Sequence, residues 1–415
     1  MESLQAMKAI RTVFLFLAFS AFTMPSSAQK HFVLDGKRTQ DLIPFKKSRG
    51  LIIVETYINN KGPFNFILDT GVGSVLITDA KLKEALNLKF VRKIEISGLG
   101  EQSALEAYTV PFLSFSMGAA HCKSISAAIL SEDVFDLSGY VGMPIHGLLG
   151  FEFFNSFVVK INYEASVLKV FNGEKPRLYK KGTKFPLTLI DNKPYIQATV
   201  ETDEGKKYPL NLLIDSGSGQ TLSLESYQQK PFDLPQKFIP ANLGVGLSGN
   251  IRGFNGRIKN FTLGKYSLNS VVCSFPYFED VGAKTSASNR NGSIGNPMLS
   301  RFSVVFDYHK HQVYLKPLPN YKKPFAVNNS GIELVASGDS FNHYLISRVE
   351  PQSAAEEFGV LVGDELVAIN FRKVNTMSLS EIMKFFCAED GRTLFIEIAR
   401  GDEFIAGILK LKSRI

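Results

Sequence analysis

Between residues 50 and 316, apolar and polar residues alternate in short runs. Tyr195-Ile196-Gln197-Ala198-Thr199-Val200 and Phe302-Ser303-Val304-Val305-Phe306 are two of them, and clusters of Gly, Asn and Ser separate the runs. A period of two is that of a half-buried strand, and many short strands broken by turn residues predict an all-β architecture. Pro317-Leu318-Pro319-Asn320-Tyr321-Lys322-Lys323-Pro324 then reads as an extended, semi-rigid linker. Beyond it the pattern changes. Ile332 to Ala336, Tyr344 to Val349 and Thr393 to Arg400 read as strands, and Ala354 to Phe358 as a short helical stretch. Val362-Gly363-Asp364-Glu365-Leu366 is a turn into another strand. Leu379 to Phe386 has the spacing of an amphipathic helix; Ser378 caps it, and Glu381 completes a capping-box pattern.

Two of the apolar runs end alike: Phe66-Ile67-Leu68-Asp69-Thr70-Gly71 and Leu212-Leu213-Ile214-Asp215-Ser216-Gly217. An Asp at the end of a buried strand is costly unless it is hydrogen-bonded or partly protonated. Two of them at matched positions suggest carboxylates that meet and share a proton, the arrangement of an aspartic peptidase. The two lie 146 positions apart, at 69 and 215, and other features keep that offset. Pro63 and Asn65 recur as Pro209 and Asn211, and Gly98/Gly100 as Gly244/Gly246. Gly147/Gly150, Phe157 and Tyr163 recur as Gly292/Gly295, Phe302 and Tyr308, at an offset of 145. Self-similarity over this length indicates a duplicated unit, too long for a solenoid and suited to two similar lobes.

Length and composition fit two to four globular units: 415 residues, 45% hydrophobic and 21% charged. Lys8 and Arg11 precede an apolar run, Val13 to Phe22, and then Pro25-Ser26-Ser27-Ala28. This is the pattern of a signal peptide cut after Ala28, and the run is too short to span a bilayer. An exported chain with no stable membrane span after cleavage is expected. The three cysteines, Cys122, Cys273 and Cys387, do not occupy repeat-equivalent positions, which argues for free thiols rather than a disulfide framework. The net charge of +8 is spread along the chain as a solvated surface, and no nucleic-acid module is recognisable.

Several local patterns have bland readings. Gly244-Val245-Gly246-Leu247-Ser248-Gly249 matches a dinucleotide fingerprint, but the following Asn250, Gly253, Asn255 and Gly256 suit a hairpin rather than a helix. His309-Lys310-His311 sits between two strand-like runs and reads as a turn, without metal-ligand spacing. His121-Cys122 has no triad logic, and no Gly-x-Ser-x-Gly elbow occurs. No metal and no cofactor is expected.

The C-terminal segment resembles bacterial PDZ domains over about 90 residues. Val349-Glu350-Pro351-Gln352-Ser353-Ala354-Ala355, Gly359 to Leu366 and Ile369-Asn370 carry the likeness. The resemblance implies a peptide added to a sheet edge with its carboxylate in a backbone nest, here Gly331, Ile332, Glu333 and Leu334 after Ser330. Glu333 stands where such domains have a small residue, and an acid there opposes a terminal carboxylate. Internal-peptide binding and intramolecular docking on the lobes are both open.

Residues 50 to 316 resemble two retropepsin-like aspartic protease lobes fused in one chain, a pepsin-like bilobal unit. The likeness rests on Asp69-Thr70-Gly71, Asp215-Ser216-Gly217, Leu148-Leu149-Gly150 and Ser293-Ile294-Gly295, where Ser293 departs from the apolar rule. It implies that Asp69 and Asp215 are the catalytic dyad. Thr70 and Ser216 would brace the two loops, and Gly71 and Gly217 would bring the carboxylates together. Such sites carry Ser or Thr three residues after each Asp. Here those positions are Val72 and Ser218, so the pair should not titrate as twins, and activity is expected in weak acid to neutral conditions. Gly98, Leu99 and Gly100, with Gly244, Val245 and Gly246, fall where each lobe would carry a substrate-binding flap. Two similar flaps would close as in a viral homodimer.

The expected organisation is a signal peptide over 1–28, an N-terminal lead segment over 29–48 and lobes over 49–175 and 176–317. A linker over 318–324 and a PDZ domain over 325–415 follow. The lead segment contains Lys37, Arg38, Lys46 and Lys47, and a cleft-occluding role for it is open. Since one chain supplies both aspartates, a monomer is expected. The function expected is that of an exported aspartic endopeptidase, periplasmic or secreted and of bacterial type, acting on peptide or protein substrates. The alternative is a non-catalytic peptide-binding adaptor on a protease-like scaffold.

Overall fold

The computed structural model describes residues 31–415 except 90–91, 97, 101–103, 134, 174–181 and 286–287. The signal-peptide expectation, and the seam expected near Asn172-Gly173-Glu174-Lys175-Pro176 from residue 174 onward, lie outside the described residues. The chain is mainly β.

Two of the sheets close on themselves with the same strand order. In the first, the sequence of neighbours is Ala120–Leu130, Val75–Ile77, Gly147–Leu149, Lys61–Leu68, Leu51–Ile58 and Leu105–Met117. The last of these pairs back onto Ala120–Leu130. In the second it is Tyr266–Pro276, Leu222–Leu224, Gly292–Ile294, Lys207–Ile214, Lys193–Glu201 and Gly249–Leu263, which again pairs back to the start. The repeat read from the sequence is thus a repeat of topology, element for element. Closing each sheet into a barrel pairs its inner strands on both sides and leaves the flap strands Arg92–Ile96 and Phe238–Gly246 at the edges.

A third, six-stranded sheet joins the barrels. Its central pair is Val158–Asn162 against Phe302–Asp307, antiparallel, with Lys160 opposite Val305. Those two residues are equivalent in the repeat, so an approximate two-fold axis passes between them. Apolar residues of both barrels and of this sheet form one continuous core.

The lead segment is built into these sheets. Val33–Leu34 pairs with Ala120–Leu130, Gln40–Pro44 with Val167–Phe171, and Lys46–Ser48 with Leu51–Ile58. Its backbone hydrogen bonds are therefore satisfied away from the cleft, whose lining begins at Leu51. The linker is turned rather than extended. Tyr321 and Lys323 close turns onto Leu318 and Asn320, and the Arg301 guanidinium donates to the carbonyls of Asn320 (2.5 Å) and Pro324 (3.0 Å).

The C-terminal sheet, with a separate core, runs Ile332–Ser337, His343–Val349, Glu365–Ile369, Thr393–Arg400, Glu403–Lys410. Ser353 caps helix Ala354–Phe358, and the Ser378/Glu381 capping box starts helix Leu379–Phe386. Among the described residues no helix is long and apolar enough to cross a membrane. Cys122 and Cys273 are buried and Cys387 is half-buried, each outside any disulfide among the described residues.

Candidate active site

Strand Lys61–Leu68 buries Phe66, Ile67 and Leu68 and then runs into Asp69. Gly147–Leu149 lies parallel to it, with Leu148 opposite Ile67, and the Asp69 amide donates to the Leu149 carbonyl at 2.9 Å. Lys207–Ile214 and Gly292–Ile294 repeat this, and the Asp215 amide donates to Ile294 at 2.9 Å. The glycines that follow are required by close approach. A Cβ on Gly150 would lie 2.3 Å from the Asp69 carbonyl oxygen, and one on Gly295 would lie 2.0 Å from that of Gln220.

The two Asp loops meet at the axis. The Thr70 amide donates to Ser216 Oγ (3.0 Å) and the Ser216 amide to Thr70 Oγ1 (2.9 Å). Each hydroxyl then donates across to the opposite strand end, Thr70 to the Ile214 carbonyl (2.6 Å) and Ser216 to that of Leu68 (2.8 Å). The Gly71 and Gly217 amides donate to Oδ1 of Asp69 and Asp215, at 2.6 and 3.0 Å. The glycines also leave room for the opposite carboxyl. A Cβ on Gly217 would stand 2.2 Å from Asp69 Cγ, and one on Gly71 would stand 3.0 Å from Asp215 Oδ1.

The two carboxyl groups stand side by side over Gly71, whose Cβ would lie 3.0 Å from an oxygen of each, with Asp69 buried and Asp215 half-buried. Burial, and then the charge of Asp215, holds the Asp69 carboxyl well above the usual carboxylate range. Burial also raises Asp215, but the Arg290 guanidinium and the Gly217 amide oppose the rise. The pair is therefore suited to hold one proton between its members, and the Arg290 charge favours the state in which Asp215 is ionised.

The asymmetry expected from Val72 and Ser218 has another source beside it. Ser218 Oγ accepts from the Gln220 amide at 3.2 Å. The cation that favours a charged Asp215 is Arg290, buried in an ion pair with Glu225 at 2.5 Å. Neither residue was singled out from the sequence. The signal lay in the repeat, whose equivalent of Arg290 is Ile145. A cross-lobe prop supports the second loop: Tyr163 donates to Asn296 Oδ1 at 2.8 Å, and the Asn296 amide group donates to the Ser216 carbonyl.

The pair lies in a cleft of about 870 Å³. Hairpins Arg92–Ile96 with Leu105–Met117, and Phe238–Gly246 with Gly249–Leu263, reach over it, and the expected flap residues lie at their tips. The tips touch. The Ser248 amide donates to the Leu99 carbonyl (2.8 Å) and the Gly98 amide to Ser248 Oγ (3.1 Å). A Cβ on Gly246 would fall 2.3 Å from the Leu99 oxygen. The formal dinucleotide fingerprint is thus a strand–turn–strand tip, and His309 to His311 form a hairpin turn.

The expected PDZ groove residues face the first barrel. Strand Ile332–Ser337 is the sheet edge, and helix Leu137–Val141 packs on it. A Cβ on Gly139 would stand 2.7 Å from Val335 Cγ2, and one on Gly142 would stand 3.2 Å from Leu379 Cβ. Arg49 stacks on the Tyr140 ring at 4.4 Å and donates to the Leu334 carbonyl at 2.5 Å. The Gly331 carbonyl accepts from the Glu350 amide, and the Ile332 side chain belongs to the domain core. Burial and the neighbouring Glu350 raise Glu333 to about 7 against the pull of Arg348 and Arg49. Leu137 and Tyr140 also line the cleft, so one short helix forms a cleft wall and covers the groove.

None of the curated proteins matches the chain. Residues 54–153, which include Asp69 and its supporting strands, match the protein-family model described as aspartyl protease. Residues 321–389 match the one described as PDZ domain. The second barrel lies outside both matches and is tied to the first by the shared strand order. The chain carries an aspartyl protease domain and, C-terminal to it, a PDZ domain.

Proposed function

We propose that this chain is an exported aspartic endopeptidase that hydrolyses peptide bonds with Asp69 and Asp215. The observation that carries the reading is a pair of adjoining carboxyl groups on the floor of a cleft under two hairpins, each filling the space beside the other loop's glycine. Two carboxyls in contact cannot both ionise readily and hold one proton between them. Asp215, charged, takes a proton from water as the oxygen attacks the peptide carbonyl carbon. Asp69 donates its proton to the carbonyl oxygen, giving a gem-diol. Asp215 then passes its new proton to the amide nitrogen, the C–N bond breaks, and a gem-diol hydroxyl returns a proton to Asp69. The pair ends as it began, and the products are an acid and an amine.

The flap glycines would let the hairpin backbones approach an extended substrate, and the PDZ domain would recognise a peptide or restrain the protease. The signal-peptide pattern supports removal of residues 1–28 and a periplasmic or secreted site of action. One chain provides both aspartates, which supports a monomer with lobes over 49–175 and 176–317. Asp215→Asn tests the dyad: it keeps the fold and removes the base, so peptide turnover should fall by at least ~10³-fold. Turnover at the wild-type rate would refute the assignment.

A further inference from the structure

The two barrels offer the cleft matched positions with opposite chemistry. Leu51 and Lys193 stand two residues before Ile53 and Tyr195, which pair with Ile67 and Leu213, each two residues before its aspartate. Leu148 pairs with Leu76 in the first barrel, and Ser293 with Ser223 in the second. Thr78 and Glu225 bond through their amides to the equivalent carbonyls of His146 and Asn291, and Ile145 and Arg290 immediately precede those residues. Cleft-lining Leu51 and Leu148 are therefore replaced by Lys193 and Ser293, and Ile145, buried behind them, by cleft-lining Arg290.

Burial sharpens the contrast. Glu225 and Arg290 are 2% and 7% exposed, yet Glu225 Oε2 and Arg290 Nε find no hydrogen-bond partner among the described residues. Phe135, Leu137 and Tyr140 extend the apolar side of the cleft, whereas on the other side Lys284, Thr285 and Ser288 extend the polar floor beneath an apolar flap of Leu243, Val245 and Ile251. Buried polar groups left facing an apolar ligand cost free energy that a hydrogen-bonding ligand avoids.

Resting on the peptidase reading above, we infer that the cleft is two-faced. It takes a large apolar side chain on the first-barrel side of the scissile bond. On the second-barrel side it takes an acceptor-bearing polar side chain (Asp, Glu, Asn or Gln), with Lys193, Ser223 and Ser293 as specificity-determining residues. Lys193 makes no ion pair among the described residues, and its field reaches both aspartates. Basic side chains are excluded there by like charge.

The test is a peptide-library digest with the full chain, read as the residues flanking each cut. Wild type should show an apolar preference on one side only and acceptor-bearing residues on the other, by about 10-fold or more over an apolar residue. Ser293→Leu with Ser223→Leu copies the first barrel into the second and should make both sides apolar. Lys193→Leu, at the partly exposed rim, should shift the preference in the same direction and serves if the double change does not fold. Binding of an apolar/acidic and an apolar/apolar fluorescent peptide to full-length Asp69→Asn gives the same comparison without turnover. Dyad-dependent cleavage with apolar preference on both sides, or Lys and Arg favoured on the second, overturns this inference and leaves the peptidase reading standing. Absence of both cleavage and peptide binding overturns that reading and this inference with it.

Discussion

Thr70 and Ser216 exchange backbone amide to hydroxyl hydrogen bonds, at 3.0 and 2.9 Å, across the contact between the two barrels. Each hydroxyl also donates to a carbonyl at the end of the partner strand, so four buried polar groups depend on two oxygens. Thr70→Val keeps the shape and removes the oxygen, orphaning the Ser216 amide and the Ile214 carbonyl. Leaving two buried groups unsatisfied should cost about 2–4 kcal/mol. Urea unfolding should show that loss; a cost below about 0.5 kcal/mol would mean that the brace is dispensable.

Gly217 has no side chain because the Asp69 carboxyl occupies the space. Gly217→Ala would place a methyl group 2.2 Å from Asp69 Cγ, which must shift. Turnover should fall at least ~10²-fold, because misplacement of a reacting group by about 1 Å has that effect. Measured kcat/KM within threefold of wild type would contradict the geometry.

Both dyad carboxyls are raised by burial, and the sign of the pH dependence follows. In the proposed mechanism activity needs one proton on the pair. The acid limb, where Asp215 takes up a proton, is moved upward, and the alkaline limb, where Asp69 loses its proton, is moved further. The profile of kcat/KM should therefore peak in weak acid to neutral solution rather than in strong acid. Raised carboxyls also stabilise the native state at low pH, a contribution lost as pH rises through the range of the pair. Arg290→Met with Glu225→Met removes the guanidinium without orphaning a buried charge. Asp215 should then rise, and the acid limb should move to higher pH.

Glu333 links the PDZ domain to the first barrel through a second titration. Its carboxyl is raised to about 7 from an ordinary 4.5. The stabilisation is fully present below about 4.5 and lost as pH rises through about 7. With partial solvent access allowed for, the difference should be about 1–2 kcal/mol. Amide exchange over Ile332–Ser337 should be slower at pH 5 than at pH 8 after correction for intrinsic rates, and Glu333→Gln should remove the difference. Equal protection at both pH values in wild type would argue against it.

Much of this was legible in the sequence because the determinants are local or repeated. Period-two runs marked the strands, with Thr393–Arg400 recovered to the residue, and Ser378 with Glu381 marked a helix start. The offset of 145 to 146 made Asp69 and Asp215 equivalent before any contact was known. What escaped depends on distant partners. Gln40–Pro44 lacks a clean alternation and is a strand because Val167–Phe171 lies beside it. Glu225 and Arg290 are 65 positions apart, and neither belongs to a motif. The packing of Leu137–Val141 against the PDZ edge has no signature in either segment, since only tertiary placement brings them together.

The central claim is that Asp69 and Asp215 act together on a peptide bond. Its most direct test is a peptide-library digest by wild type, Asp69→Asn and Asp215→Asn from weakly acidic to neutral pH, with and without a statine-type transition-state analogue. Wild type should cleave, the analogue should block that cleavage, and either substitution should abolish it. Cleavage surviving both substitutions, or no analogue-sensitive cleavage at any pH in that range, would contradict it.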